Sequence, residues 1–163
     1  MKTEKKKTRI LFVCWGNICR SPMAEFVMKD LVRRAGREDE FEIASAATSH
    51  DEIAPDGTGN PVYPPAREKL AEHGLSCGDK RARQLTREDY DKWDLLLGME
   101  EMNIEHMLRI CGGDPQGKIR RLLDYSDRPR DISDPWFTGN FEASWQDITE
   151  GCDALLRRLT NKE

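Results

Sequence analysis

The sequence predicts a small doubly wound α/β domain with four parallel strands flanked by helices. Ile10-Leu11-Phe12-Val13 is apolar without alternation, the pattern of a strand whose two faces are both covered. Strand-like runs alternate with helix-periodic segments, which implies right-handed crossovers and a parallel sheet. A chain of 163 residues without an internal repeat, low-complexity tract or linker fits one domain, because a domain near 150 residues hides about 68–70% of its unfolded surface. Ligands of such a fold bind beyond the carboxyl ends of the strands.

Residues 9–13 form the first predicted strand. From Pro22 to Ala35, Ala24, Val27, Met28, Leu31, Val32 and Ala35 share one helical face, and Gly36 suits the stop. Phe41–Ala46 reads as the second strand, and the polar stretch from Thr48 to Val62 as loop. Pro64-Pro65 opens a short helix that ends at His73-Gly74, where His73 complements the helix dipole. After a charged connector from Cys77 to Leu85, Thr86-Arg87-Glu88-Asp89 resembles a capping sequence. Asp94–Met99 is the third, buried strand, and a helical segment carrying Ile104, Met107, Leu108 and Cys111 stops at Gly112-Gly113. Met99, Met102 and Met107 read as core and edge packing. Lys118–Asp124 is the fourth strand, and its Arg120-Arg121 pair suggests an edge. Phe141, Trp145, Ile148, Cys152, Leu155, Leu156 and Leu159 line the last helix, with Cys152 a small buried hydrophobe.

Composition excludes several functions. A net charge of −4 argues against nucleic-acid binding by bulk electrostatics. No apolar run approaches the roughly 18 residues of a membrane span. The first seven residues carry four lysines but precede too short an apolar run for a secretory signal, so residues 1–7 read as a basic flexible tail and 8–163 as the domain. Five cysteines at 14, 19, 77, 111 and 152 show no zinc spacing, and imply a reducing, cytoplasmic setting without a structural metal.

The chemistry concentrates in Cys14-Trp15-Gly16-Asn17-Ile18-Cys19-Arg20-Ser21, immediately after the first strand. Cys14 and Arg20 can face one tetrahedral anion if the loop between them curls with its N–H groups inward, and a helix N-terminus adds to such a nest. That setting also favours thiolate over thiol. One loop would therefore bind a phosphoryl group and attack it. Such an attack needs a proton donor for the leaving oxygen, and a carboxylic acid on a facing loop fits. The stretch from Asp124 to Phe137 holds four aspartates.

The Cys-x5-Arg-Ser spacing with its Gly-Asn-Ile-Cys interior resembles the signature of the low-molecular-weight protein tyrosine phosphatases. Further likenesses lie in Ser45-Ala46-Ala47-Thr48-Ser49, Ala82-Arg83-Gln84-Leu85-Thr86 and Asp134-Pro135-Trp136, so the resemblance covers residues 8–160. It implies a flavodoxin-like, phosphotyrosine phosphatase I-like fold and a cofactor-free reaction through a phosphocysteine. Cys14 would be the nucleophile, Arg20 the bidentate clamp and Asp134 the general acid and then base. It further implies that Ser21 turns its hydroxyl toward the sulfur rather than capping the helix, that Asn17 and Ser45 support the loop with Gly16 and Ile18, and that Cys19 could pair reversibly with Cys14.

Trp15 beside the nucleophile and Trp136 beside the acid could sandwich a phenyl ring, with Asp51 and Phe137 as further wall positions. The implied substrates are phosphotyrosine proteins or aryl phosphates, with inorganic phosphate or other oxyanions also fitting the loop, and neither nucleic acid nor membrane as partner. Related arginine phosphatases carry Thr where Ile18 stands, which points to the tyrosine branch. Four positions depart from the family pattern. Trp136 and Phe137 replace tyrosines, which removes regulation by phosphorylation there; Asp51 replaces an aromatic and should disfavour acidic peptides; and Lys80 replaces a histidine of the loop's support. Two other functions fit the loop alone. An arsenate reductase would need relay cysteines, and the segment Leu95–Asn103 has none; a phosphate-binding module would need neither Cys14 nor Asp134.

Overall fold

The computed structural model describes residues 6–161. Of the basic tail expected over residues 1–7, residues 1–5 lie outside that span. The strands are β1 (Thr8–Cys14), β2 (Phe41–Ala47), β3 (Leu95–Gly98) and β4 (Ile119–Arg121). All pair in parallel, in the order β2-β1-β3-β4. Central β1 shows why its sequence lacks alternation. Ile10, Phe12 and Cys14 face one apolar cluster, and Leu11 and Val13 face another. Helices α1 (Arg20–Arg34) and α6 (Phe141–Thr160) cover the first face, joined by α2 (Pro64–Glu72). On the second, α3 (Glu88–Lys92) and α4 (Glu101–Cys111) bring Tyr90, Met107 and Cys111 against Leu11, Val13 and Leu96, with Trp93 from the turn after α3. The short α5 (Pro135–Thr138) precedes α6.

Several expectations shift in register. β4 stops at Arg121, and Leu122–Tyr125 forms a 3-10 turn. Consecutive Leu122 and Leu123 are both fully buried, which an extended strand with one covered face cannot achieve and a tight turn can. Arg120 and Arg121 do lie on the sheet edge. α1 begins at Arg20, so Ser21 sits inside its first turn and does not cap it. Asp89 reaches back to accept from the Thr86 N–H at 2.8 Å, the reciprocal half of a capping box. His73 closes α2 and stacks its ring on Trp145 at 4.2 Å. Met99 and Met107 are buried and Met102 is exposed; Cys152 is fully buried in the α1/α6 cluster.

Candidate active site

Cys14 is the last residue of β1 and Arg20 the first of α1, so the loop between them lies at the carboxyl edge of the sheet. Among the described residues, Asn17 alone combines a side chain with positive φ (60°). Asn tolerates that conformation, and here its side chain fixes it. The fully buried amide donates from Nδ2 to Ser21 Oγ at 2.8 Å and to Ser45 Oγ at 2.9 Å, while Oδ1 accepts from the Arg83 N–H at 3.1 Å. Ser45 Oγ donates onward to Glu25 Oε1 at 2.6 Å.

This chain of bonds sets the direction of a proton. Since Ser21 Oγ accepts from Asn17, its own hydrogen is free for Cys14 Sγ, 3.0 Å away. The Asn17 N–H also approaches that sulfur, at 3.3 Å. Two donors therefore face the position where a sulfur anion would need them. Cys19 stands differently. Burial, helped by the neighbouring Cys14 and Asp134, pushes its thiol above the ordinary range, so it stays protonated at neutral pH.

Arg20 is 1% exposed, and three contacts orient a guanidinium that carries five N–H donors. Nη1 donates to the Ile132 carbonyl at 2.8 Å, and Nη2 lies 2.7 Å from Glu100 Oε2 and 3.3 Å from Asp134 Oδ2. A buried guanidinium needs such partners, and these fix its plane. Asp134 caps α5 by accepting from the Trp136 N–H at 3.1 Å, which turns its other oxygen toward Arg20. Cys14, Arg20 and Asp134 thus meet in one pocket, walled by Trp15, Asp51, Trp136 and Phe137. Phe137 is 83% exposed at the rim, and Trp136 leans on Tyr63 with centroids 4.7 Å apart. Gly16, Ile18 and Cys19 line the floor.

Lys80, expected to break the support, joins it. Nζ donates to the Ser45 carbonyl at 3.0 Å and lies 3.9 Å from Glu25 Oε1. Burial holds its amine below the ordinary lysine value. Glu52 of the pocket lining and four residues around it were not expected from the sequence. Glu100 follows a strand and looks like an ordinary helix cap, a role it also plays for α4. Glu25 sits one turn after Ser21 on the same helical face, a spacing that could have revealed it. Tyr63 and His106, which back the two tryptophans, carry no sequence signal.

A four-stranded parallel α/β sheet with a buried thiol ending its first strand and a paired guanidinium opening the next helix defines a class of α/β proteins with a cysteine–arginine loop at the carboxyl edge of the sheet. Within that class, the chain belongs to the low molecular weight phosphotyrosine protein phosphatase family, whose model matches residues 9–163. It is 37% identical over 156 residues to the low molecular weight protein-tyrosine-phosphatase YfkJ of Bacillus subtilis, covering 94% of this chain and 97% of that one. The crystal structure of YfkJ superposes with a TM-score of 0.89 at 35% identity, covering 98% of this chain and 100% of that one. The rat low molecular weight phosphotyrosine protein phosphatase is 36% identical over 154 residues, 91% of this chain and 94% of that one. A Drosophila arginine phosphatase structure also matches, with a TM-score of 0.82 at 29% identity over 94% of this chain and 99% of that one. The protein is accordingly a protein tyrosine phosphatase by family. Among the described residues no helix is long and apolar enough to cross a membrane.

Proposed function

We propose that this pocket hydrolyses phosphotyrosine and aryl phosphate monoesters in two steps, with Cys14, Arg20 and Asp134 as the catalytic groups. The observation that carries the proposal is the convergence of the Cys14 sulfur, the Arg20 guanidinium and the Asp134 carboxyl on one pocket. In the first step the Cys14 thiolate attacks phosphorus. An S–P bond forms as the ester O–P bond breaks, and Asp134 gives its proton to the leaving oxygen. In the second, Asp134 takes a proton from water, the water oxygen attacks phosphorus, and the S–P bond breaks to release inorganic phosphate. Arg20 clamps the phosphoryl oxygens in both steps, and the Ser21 hydroxyl stabilises the departing thiolate.

Trp15 and Trp136 are the proposed ring walls, and Ile18 favours phosphotyrosine over phosphoarginine. The carboxylates of Asp51 and Glu52 line the same pocket, which supports a preference for neutral or basic peptides over acidic ones. Substrates are therefore phosphotyrosine proteins or aryl phosphates rather than nucleic acids or membranes. We assign the enzyme to the cytoplasm, where a nucleophilic thiol stays reduced, and its activity to a single domain over residues 8–163 with a basic tail ahead of it.

The test is metal-free hydrolysis of p-nitrophenyl phosphate and of phenyl phosphate by wild type, Cys14→Ser and Asp134→Ala. Cys14→Ser should show no turnover. Asp134→Ala should lose about 10²-fold or more in kcat on phenyl phosphate and less on the nitrophenyl ester, whose leaving group needs less help. Normal turnover by Cys14→Ser would overturn the mechanism. Arsenate-dependent thioredoxin oxidation, or phosphate binding without turnover, would point to the reductase or to the binding module.

A further inference from the structure

Trp15 is the less exposed of the two ring walls, at 40% against 51% for Trp136, and it is held at three points by one short segment. The Trp15 carbonyl accepts from the Ser49 N–H at 3.0 Å and from the Ser49 hydroxyl at 2.9 Å. The indole Nε1–H donates to Asp51 Oδ2 at 2.7 Å. Asp51 is itself tied back, its N–H donating to Ser49 Oγ at 3.3 Å. The His106 ring of α4 also lies against the indole, centroids 5.4 Å apart and tilted by 55°. An exposed indole normally samples several rotamers; one bonded through its nitrogen and braced by a neighbouring ring does not.

We propose that Asp51 is a positioning residue that acts through Trp15, with His106 as a second brace, so that the indole stands preorganised as a wall for an aryl group before substrate arrives. The proposal rests on Trp15 being a substrate wall, and it gives Asp51 a role separate from its charge. A carboxylate at the mouth of a phosphate-binding pocket repels the ligand it helps to bind. Its Oδ2 nevertheless accepts the indole N–H at 2.7 Å, a bond that needs an acceptor oxygen and not a charge. That division is measurable, because asparagine keeps the acceptor and loses the charge.

The experiment measures binding, so it does not depend on turnover. Calorimetric titration gives Kd for phenylphosphonate, which presents a ring and an oxyanion, and for inorganic phosphate, which presents the oxyanion alone. The ratio of the two isolates the ring's contribution. Asp51→Ala should lower the ring's advantage about 5- to 10-fold, the size of one hydrogen bond that fixes a side chain. Asp51→Asn should keep it within about twofold while tightening both ligands alike, since a repulsive charge has gone. Trp15→Phe, which keeps a ring and loses the N–H, should lose the advantage as Asp51→Ala does, and adding Asp51→Ala to it should change nothing more. Equal loss in Asp51→Asn and Asp51→Ala, or an unchanged ratio in Asp51→Ala, would overturn the proposal. A variant that fails to fold leaves Trp15→Phe to decide, and retention of the wild-type ratio there would overturn it too. Failure of the catalytic mechanism would show instead as a wild type that binds both ligands yet does not turn over p-nitrophenyl phosphate.

Discussion

The cradle's shape depends on Asn17 more than on either charged residue. Its amide joins Ser21, Ser45 and the Arg83 backbone, and its φ of 60° is one that most side chains avoid. Asn17→Ala should therefore cost about 2–4 kcal/mol in urea unfolding, because it leaves buried partners unpaired and strains the turn. It should also lower kcat/KM by about 10²-fold, the usual consequence of a reacting group displaced by an ångström or so. A loss of stability with undiminished kcat/KM would show that the sulfur's donors are set by something other than this amide. Cys14 and Arg20 could be paired from their spacing on one loop, whereas Asp134 stood out from three other aspartates only through the family resemblance of Asp134-Pro135-Trp136. Glu100 was not, since its approach to Arg20 depends on β3 lying beside β1, a contact between residues eighty apart. Lys80 was read as a gap because the sequence cannot show that a longer amine reaches the Ser45 carbonyl.

At the scale of elements, the loop that leads to Asp134 is stapled to α6 rather than free. Arg130 donates from Nη2 to Asp147 Oδ1 at 2.7 Å and to Glu150 Oε1 at 2.9 Å, and from Nη1 to Glu150 Oε2 at 3.0 Å. Such half-exposed pairs add little to stability but can restrict a loop. Arg130→Ala should leave the unfolding midpoint within about 3 °C. Its kcat on phenyl phosphate should fall about 10-fold, with a smaller loss on the nitrophenyl ester, because a loosened Asp134 matters most for poor leaving groups. Equal losses on both esters would place the defect in the cradle instead. The other side of α6 needs close approach. A Cβ at Gly151 would meet Leu122 Cγ at 2.5 Å, so Gly151→Ala should cost about 1–3 kcal/mol in urea unfolding, with p-nitrophenyl phosphate turnover retained. This packing explains why the fourth strand looked longer than it is. Apolar content announced that residues 122–123 were buried, and only the helix above them decided that they turn rather than extend.

For the molecule as a whole, titratable groups held away from their ordinary values bound the pH range in which the fold is stable. Asp89, Glu142 and Glu150 titrate low, Asp89 through Arg83 and the Thr86 N–H against the opposing effect of burial, Glu142 through Lys69, and Glu150 through Arg130 and Ser126, which draw it to about 2. A lowered carboxylate contributes stability above its unfolded value, near 4.5 for Glu, and loses it as pH falls through the folded value. Solvent screens most of this at Glu142 and Glu150, which leaves buried Asp89 as the main acid-side group. The alkaline limb comes from thiols, joined above pH 10 by Tyr125, whose hydroxyl burial holds above its ordinary value. Burial raises Cys19, Cys111 (to about 11) and Cys152 above the ordinary 9.0, so their stabilising effect is complete below pH 9 and drains away as pH rises toward the folded values. Each thiol adds a slope of about 1.4 kcal/mol per pH unit in that range. Lys80 runs the other way, since its lowered value makes its charge costly at neutral pH and less so as pH approaches 10.5, and it offsets about one thiol. Stability should thus be flat from about pH 5 to 8.5 and fall on both sides. Cys152→Ala, measured by urea unfolding under reductant between pH 7 and 10.5, should lower the plateau by a cavity cost and flatten the alkaline limb. Wild-type and variant curves that stayed parallel above pH 9 would remove Cys152 from that limb.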